Sequence, residues 1–316
     1  MAAQSRQSTN LVRETTGLSA ATGNSMSVDL VLAVSGSPFY EAMACGATAE
    51  AKQLGVALKV SAPSQFSPVQ QLPILNAAIS SHPSAIVLVP TDAKALNSSL
   101  HVAERAGIKI VTTDEALSSL AGISSEILSN NSAGGALIGD EMARELPRGG
   151  QVLLLTTEPG QVTSQDDRAN GFLKEIKKYP RLHYVGAQYS NDEPSLTSSQ
   201  VSEELTRYPN LAGIFADNDQ SGIGAASALV KAGKSNGKVK LFVYDSAISE
   251  VQSLRANTIQ GLVAQEPRVE GVDGVMYAVH AVEGKTVPKI VETPTKLLTR
   301  STPVSVDTAY EYQGTC

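Results

Sequence analysis

The stretch Leu211-Ala-Gly-Ile-Phe-Ala-Asp-Asn-Asp-Gln220 decides the fold that we predict. Its apolar run, residues 214–216, is typical of a buried parallel strand, and the polar residues 217–219 end that strand abruptly. A helical pattern follows over residues 223–230 and stops at Gly233. Open α/β sheets bind ligands where a strand places polar side chains at its carboxyl end, before a helix. The same polar residues also suit an ordinary loop and N-cap, so the stretch alone leaves both interpretations open.

The same alternation of strand and helix extends in both directions along the chain. Upstream, we predict strands at residues 28–34, 56–60, 85–89 and 108–112, separated by helices at 38–54, 70–79 and 95–106. A polar seam at 129–132 opens a second round, with strands at 151–155, 183–188, 214–216, 238–244 and 259–264 and helices between them. We expect the last stretch, 289–316, to be rich in β-structure. The pattern predicts an α/β fold of two doubly wound parallel-sheet lobes, with a ligand cleft between them.

Composition excludes several classes of function. The 316 residues are 42% hydrophobic and 18% charged, which suits two globular α/β lobes. The net charge of -6 carries no basic footprint, so we expect no nucleic-acid partner. No nucleophile–base constellation or phosphate-binding glycine loop is visible, and the glycines at 134–135 and 222–224 suit close packing better. We therefore expect neither an enzyme nor a cofactor, and the scattered histidines indicate no metal site.

Two smaller features bear on how the chain begins and ends. Residues 1–27 are rich in Ser, Thr, Gln and Ala without an apolar segment, which predicts a disordered leader and no signal peptide. The two cysteines, Cys45 and Cys316, have no metal-binding spacing. We expect them to be free thiols, with a disulfide between them as the alternative.

Candidate binding residues are chosen by their position at predicted strand ends. They are Ser37, Phe39 and Tyr40 after the first strand, Asp114 and Glu115 after the fourth, and Asn218, Asp245 and Gln265 in the second round. Carboxylates and amides bond hydroxyl groups, and an aromatic face covers the apolar face of a sugar. The pattern indicates a site for a polyhydroxylated ligand. Core packing is the alternative for the two aromatic residues.

These strand ends resemble the type I periplasmic substrate-binding proteins of ABC sugar importers, in particular the ribose-binding group. The resemblance covers residues 28–300. It is carried by Val34-Ser-Gly-Ser-Pro-Phe-Tyr40, Val89-Pro-Thr-Asp92, Thr112-Thr-Asp114, Asp167-Arg-Ala-Asn-Gly-Phe172, Phe215-Ala-Asp-Asn-Asp219, Tyr244-Asp245 and Ala264-Gln265. The order and spacing of the seven motifs support the family's fold more than they support its class of ligand.

The resemblance implies a role for each of these residues. Ser37 stands where the family often has an asparagine, and Phe39 with Tyr40 matches the aromatic pair on the sugar ring. Asp114, Asn218, Asp245 and Gln265 match the polar cage, whereas Arg168 matches an arginine that is usually structural.

Three acidic residues depart from the family pattern. Glu115 and Asp166 fall at or near arginine positions of the family, and Asp192 falls near a third stacking aromatic. These departures imply a pocket that is more acidic and less aromatic than a ribose site. They favour a sugar alcohol or a ligand with an amino group over ring-form ribose. Residues 163–166 and 189–192 also resemble the autoinducer-2-binding branch of the fold.

The resemblance implies a solute-binding protein that captures a monosaccharide or sugar alcohol by hinge closure. Three crossings would divide the chain into a first lobe (28–130 plus 265–294) and a second (131–264 plus 295–316). The expected partner is an ABC permease, and the expected form is an exported monomer, periplasmic or lipid-anchored. A regulatory protein of the same fold would need an N-terminal DNA-binding helix pair, for which residues 1–27 are too short.

Overall fold

A computed structural model describes residues 26–313 and 316 of the chain. These residues form two six-stranded sheets flanked by helices, which confirms the predicted α/β class with two doubly wound lobes. The disordered leader expected at 1–27 lies outside the described residues, apart from its last two. Of those two, Ser27 opens the first strand and so belongs to the folded part.

The first lobe contains a sheet in which all the strands run parallel. Its strands are β1 (Ser27–Val31), β2 (Ala57–Ser61), β3 (Ala85–Leu88), β4 (Lys109–Thr113), β5 (Ser125–Ser129) and β11 (Ile290–Thr293), in the spatial order β11-β5-β4-β3-β1-β2. Its helices are α1 (Pro38–Leu54), α2 (Pro68–Ser80), α3 (Asn97–Arg105) and α9 (Pro267–Val282).

The second lobe repeats this plan with one antiparallel edge. Its strands are β6 (Gly150–Thr156), β7 (Leu182–Tyr189), β8 (Leu211–Ala216), β9 (Lys240–Tyr244), β10 (Gly261–Ala264) and β12 (Lys296–Thr299), in the order β12-β10-β9-β8-β6-β7. Only β12 runs against its neighbour, β10. The helices are α4 (Asn131–Glu145), α5 (Thr163–Ile176), α6 (Pro194–Arg207), α7 (Asp219–Lys231), α8 (Ile248–Arg255) and α10 (Val304–Tyr310).

The main chain passes between the two sheets three times. It leaves the first sheet between β5 and α4, returns between β10 and α9, and leaves again between β11 and β12. The first and third crossings touch, since the Asn130 side-chain amide donates to the Glu292 carboxylate over 3.0 Å. These two connections between the lobes therefore lie side by side, and all three are short segments at the ends of elements, which suits a hinge.

Each sheet has an apolar core on both of its faces. Successive residues of β3 point in opposite directions, so Val87 packs with α1 and α9 whereas Leu88 packs with α2 and α3. In β6, Leu153 and Leu154 divide in the same way between the two cores of the second lobe. This explains why the strands appear in the sequence as unbroken apolar runs: both faces are covered.

Glycines allow one pair of helices in each lobe to pack with their backbones close together. In the first lobe, a Cβ atom on Gly46 of α1 would overlap the Arg268 carbonyl of α9. In the second lobe, a Cβ atom on Gly171 of α5 would overlap the Ser132 carbonyl of α4. Gly135 meets the Arg168 carbonyl in the same way. The expected role of the glycines at 134–135 and 222–224 in close packing is confirmed by their crowded surroundings.

The local structure differs from the expectations in three respects. Strand β5 was not predicted, because its polar ends and a glutamate at its second position hide the apolar residues of a central strand. The final stretch contains expected β-structure in β11 and β12, but helix α10, which was not predicted, follows them. Cys45 and Cys316 are not free thiols but form a disulfide across 271 positions of sequence. The sequence held no information on which segments this bond would bring together.

We predict that Gly171→Ala lowers the free energy of unfolding by about 1–2 kcal/mol. The added methyl group would overlap the Ser132 carbonyl oxygen, so we expect a cost in the upper part of the range of about 1–3 kcal/mol for overpacking, of which a gain of about 1 kcal/mol in helix propensity offsets a part. Urea unfolding measures the change. Ser199→Ala, at an exposed position in α6, is the control and should stay within about 0.5 kcal/mol of wild type. Equal stability of Gly171→Ala and wild type would contradict this account of helix packing.

Candidate functional site

A cavity of about 500 Å³ lies between the lobes, within the size range of small-molecule sites. Its walls are the carboxyl ends of strands from both sheets and the loops and helix starts that follow them. All the residues predicted from the sequence line it, except Asp166: Ser37, Phe39, Tyr40, Asp114, Glu115, Asp192, Asn218, Asp245 and Gln265.

The structure does not bring Asp166 into the cavity. This residue lies in the first turn of α5, and its carboxylate accepts a hydrogen bond of 2.8 Å from the Gly160 backbone N–H. It therefore orders the loop that precedes the helix. Ser164, Gln165 and Arg168, which share the buried face of α5, line the cavity instead.

Several cavity residues have strained backbones. Asp114 (φ +68°) and Asp245 (φ +85°) adopt the left-handed conformation directly after β4 and β9, and Asn191 (φ +50°) and Asp192 (φ +57°) do so after β7. This conformation is uncommon for residues other than glycine, and strain of this kind concentrates at functional sites. Among the described residues, the other non-glycine positions with positive φ lie away from the cavity; they are His82, Asn236 and Asn257.

Asp114 and Asp245 present similar groups from opposite lobes. One oxygen of Asp114 accepts from the Tyr40 hydroxyl over 2.9 Å. One oxygen of Asp245 accepts from the Gln265 amide over 2.6 Å and from the Tyr312 hydroxyl over 3.1 Å. The second oxygen of each carboxylate has no protein partner among the residues that the structure describes. Each aspartate is thus oriented through one oxygen and offers the other to the cavity.

Arg168 is the buried cation of the site, and the sequence analysis had assigned it a structural role only. Its guanidinium donates to the side chains of Asn131 (2.8 Å) and Gln265 (3.1 Å) and to the Asp217 carbonyl (2.9 Å). It also stacks 3.9 Å from the centre of the Tyr244 ring. Arg168 therefore holds neighbouring segments together and also lines the cavity. Its spacing from Ser164 and Gln165, one helical turn, is the signal that would have found it.

Asp192 and Asn218 are held chiefly by the protein itself. The Asn218 side chain accepts from the Ser221 N–H over 2.8 Å as the N-cap of α7, and its amide donates to Asp192 over 2.7 Å. Gln165 donates to both oxygens of the same carboxylate, over 3.1 and 3.2 Å. The N-cap interpretation of Asn218 is therefore confirmed, although the residue also faces the cavity.

Aromatic side chains line the wall that belongs to the first lobe. Phe39 and Tyr40 are each 8% exposed and pack in the first lobe's core, with their rings edge to face at 5.2 Å. They reach the cavity as well, so core packing and ligand contact apply together. Phe66, in the loop between β2 and α2, adds a third ring that the sequence analysis missed.

Glu115 bridges the two lobes. Its carboxylate accepts from the hydroxyl (2.6 Å) of Thr163 and from the backbone N–H (3.0 Å) and hydroxyl (2.5 Å) of Ser164. The Ala116 N–H donates to the Thr163 hydroxyl over 2.9 Å. A carboxylate at the N-terminus of a helix is stabilised by unpaired N–H groups and by the helix dipole. These contacts form a clasp, Glu115 and Ala116 against Thr163 and Ser164, that holds the cleft in a narrow form.

Burial raises the pKa of several carboxyl groups around the cavity. Burial, reinforced by the neighbouring charges of Glu115 and Glu270, raises the pKa of Asp114 well above its ordinary value. Burial and the charge of Asp245 raise the pKa of Asp219 to about 6. Glu270 of α9 accepts from the Ser129 and Thr293 hydroxyls, and burial raises its pKa to about 7. Carboxyl groups are thus concentrated in and around the cavity, and Arg168 is the buried cation among them.

Within residues 26–313 and 316, no group of three His, Cys, Asp or Glu side chains is arranged to hold a metal ion. In the same part of the chain, no helix combines the length and the apolar character that a membrane span needs.

The chain belongs to the periplasmic binding protein family, because the model of the periplasmic binding protein domain matches residues 28–286. This family result and the fold confirm the resemblance found in the sequence. The ribose import binding protein of Escherichia coli is 27% identical over 267 residues, which cover 84% of this chain and 88% of that protein.

Solved structures of sugar-binding proteins superpose well on this one. An ABC transporter solute-binding protein from Agrobacterium vitis, bound with alpha-D-tagatopyranose, has a TM-score of 0.87 and 29% identity, covering 91% of this chain and 99% of that one. A carbohydrate transporter solute-binding protein from Agrobacterium radiobacter, in complex with D-arabinose, has a TM-score of 0.84 and 27% identity, with the same coverage.

We predict that Glu115→Ala opens the ligand-free protein. The substitution removes every hydrogen bond that the carboxylate makes across the cleft, so the radius of gyration in small-angle X-ray scattering should increase. Ser164→Ala, which removes one of those bonds from the other lobe, should act in the same direction more weakly. The exposed Glu158→Ala should leave the scattering curve unchanged. Identical curves for Glu115→Ala and wild type would refute the clasp.

We predict that Glu270→Gln reduces the dependence of stability on pH. A raised carboxyl pKa stabilises the fold fully below the unfolded value of 4.5, and this contribution is lost as the pH rises to about 7. The glutamine keeps the acceptor oxygen for Ser129 and Thr293 but carries no ionisable proton. The variant should therefore lose on the order of 2 kcal/mol less than wild type between pH 4.5 and pH 8. Urea unfolding across this range, with the exposed Glu41→Gln as control, provides the measurement; parallel curves would overturn the assignment.

Proposed function

We propose that this protein captures a monosaccharide in the cleft between its lobes and delivers it to an ABC importer. The observation that supports this most strongly is the facing pair of Asp114 and Asp245. Each is anchored through one oxygen and presents the other to a cavity of about 500 Å³. Oxygens offered from both lobes suit a ligand with hydroxyl groups on opposite sides, and the aromatic wall suits the apolar face of a ring.

The geometry favours a ring sugar more than the sequence pattern did. Glu115 and Asp192 were expected to make the pocket more acidic, but protein donors occupy their carboxylates, and Asp166 lies outside the lining. Phe66 also supplies the third aromatic ring that the pattern seemed to lack. These contacts support a monosaccharide over a sugar alcohol as the ligand.

The proposed mechanism is capture by hinge closure, without chemical conversion of the ligand. A ligand docks on one lobe, the other lobe closes over it, and exclusion of water strengthens the hydrogen bonds in the cleft. A shift from 1:99 to 99:1 in favour of the closed form requires a difference in binding free energy of about 5.5 kcal/mol. Four charge-assisted hydrogen bonds of about 1.5–3 kcal/mol each would supply it.

The proposal also covers the moving units, the location of the protein and its partner. The moving units are residues 28–130 plus 265–294 and residues 131–264 plus 295–316, joined by the three crossings and by the Cys45–Cys316 disulfide, which ties the end of the second unit to the first. The protein acts as an exported monomer, periplasmic or lipid-anchored, and its closed form docks on a permease in the membrane. It has neither a nucleic-acid partner nor an enzymatic activity.

A ligand that carries an amino group is the second candidate. Asp219 and Asp245 interact unfavourably in the cavity, as the pKa of Asp219, raised to about 6 by burial and by Asp245, indicates. An ammonium group between these carboxylates would relieve their repulsion. An amino-polyol is therefore the alternative within the same fold. An autoinducer-2-like compound remains a further alternative, on the resemblance of residues 163–166 and 189–192 alone.

A thermal-shift screen tests the proposed ligand class. The probes are D-ribose, D-allose, D-arabinose, D-tagatose, ribitol, erythritol and glucosamine. A ligand at 100 times its dissociation constant adds about 2.7 kcal/mol of stability, which shifts the melting temperature measurably. Stabilisation by ring sugars supports the proposal, whereas stabilisation by glucosamine alone supports the second candidate. No shift with any probe would count against sugar capture.

We predict that Asp245→Ala raises the Kd of the best-bound sugar at least 100-fold. The substitution removes the oriented carboxylate, whose hydrogen bonds to ligand hydroxyls are worth about 1.5–3 kcal/mol each. Calorimetric titration measures the change, and far-UV circular dichroism verifies the fold. Asp166→Ala is the matched control, since it also removes an aspartate but lies outside the cavity lining, and its Kd should equal that of wild type. An unchanged Kd in Asp245→Ala would remove this residue from the site.

A further inference from the structure

The C-terminal tail packs against residues that line the cavity, without lining it itself. Helix α10 packs on the second lobe, and the chain then continues to Tyr312, whose N–H donates to the Ser246 carbonyl over 3.0 Å. The Ser246 hydroxyl donates to the Tyr310 carbonyl over 2.6 Å. The tail is thus fastened to the loop that directly follows Asp245.

The Tyr312 hydroxyl makes two hydrogen bonds to residues that line the cavity. It donates to the Asp245 carboxylate over 3.1 Å and accepts from the Gln265 backbone N–H over 3.0 Å. The Gln265 side chain donates to the same Asp245 oxygen over 2.6 Å. These three residues form a closed arrangement in which the hydroxyl fixes both the carboxylate and the strand end beside it. The residue is only 4% exposed, so water does not compete freely for these bonds.

The ring of Tyr312 lies in the first lobe, whereas the backbone beside it is bonded to the second lobe. It packs in the core of the first lobe, edge to face against Phe39 at 5.6 Å. Cys316, four positions further along, is bonded to Cys45 of α1, with the Cα atoms 5.1 Å apart. Four residues span at most about 14 Å, so the disulfide limits how far Tyr312 can move from the first lobe.

We propose that the tail completes the binding site. Tyr312 is a positioning residue for Asp245 and Gln265, and the Cys45–Cys316 disulfide keeps it in place. A dithiol reductant that transfers two electrons and two protons to the bond, giving two thiols and its own cyclic disulfide, therefore weakens ligand binding. The inference rests on the proposed function, since it assigns Asp245 a role in holding the ligand.

Calorimetric titration of Tyr312→Phe with D-ribose, D-allose, D-arabinose and D-tagatose tests the positioning role. The variant keeps the ring and its packing but loses the hydroxyl, so the Kd should rise about tenfold. Tyr310→Phe, in the same tail, should bind as wild type. On an Asp245→Asn background, Tyr312→Phe should add little further loss, because it acts through Asp245. A Kd within twofold of wild type, or a full tenfold loss on both backgrounds, would overturn the positioning role.

Reduction tests the disulfide separately. Wild type treated with dithiothreitol and untreated Cys316→Ser should show the same increase in Kd, and the reductant should have no further effect on the variant. Wild-type affinity in both samples would overturn the role of the bond.

A separate result distinguishes failure of the proposed sugar-binding function from failure of the positioning role of Tyr312. If none of the four sugars binds wild type, sugar capture fails, and urea unfolding then tests the contact alone. Tyr312→Phe and Asp245→Asn should lower stability by less together than the sum of their separate effects. Strict additivity would overturn the inference even in the absence of a ligand.

Discussion

A buried arginine holds together the face of the second lobe that meets the ligand cavity. Arg168 links the start of α4, the end of β8 and the end of β10 through hydrogen bonds and stacks on Tyr244 of β9. Burial of a cation is costly unless partners satisfy all its donors. Burial alone would lower the pKa of Arg168, but attraction to Tyr244, Asp245 and Asp114 outweighs it and raises the pKa. The charge therefore persists, and the acidic cavity and its counter-ion depend on each other.

Each lobe holds an aspartate in the same way at the carboxyl end of a strand. Asp114 follows β4 and Asp245 follows β9, and both adopt a left-handed backbone that turns the carboxylate into the cleft. A neighbouring hydroxyl then fixes one oxygen, from Tyr40 in one lobe and from Tyr312 in the other. The strain is local, whereas the cores behind each strand are closely packed and support it.

Much of this arrangement was accessible from the sequence. Apolar runs that end in polar residues located most of the strands and, with them, Asp114, Asn218, Asp245 and Gln265, because parallel strands deliver their carboxyl ends to one edge. The sequence could not show which residues contact each other in the folded protein. Glu115 seemed available to a ligand because nothing in the chain indicates its contact with α5. Strand β5 was missed because Glu126 and the flanking serines interrupt its apolar pattern, and the disulfide because pairing depends on the folded tail.

The order of segments along the chain has a consequence for biogenesis. The first lobe is discontinuous: its core needs α9, which packs on α1, and its sheet needs β11, which pairs with β5. Helix α9 is complete only once residue 282 has been synthesised, and β11 only at residue 293. The second lobe has its five parallel strands in one continuous stretch, from β6 to β10. A nascent chain can therefore assemble the five parallel strands of the second lobe while the first lobe remains incomplete; β12 and α10 are added afterwards, and closure of the longest loop, by Cys316, comes last.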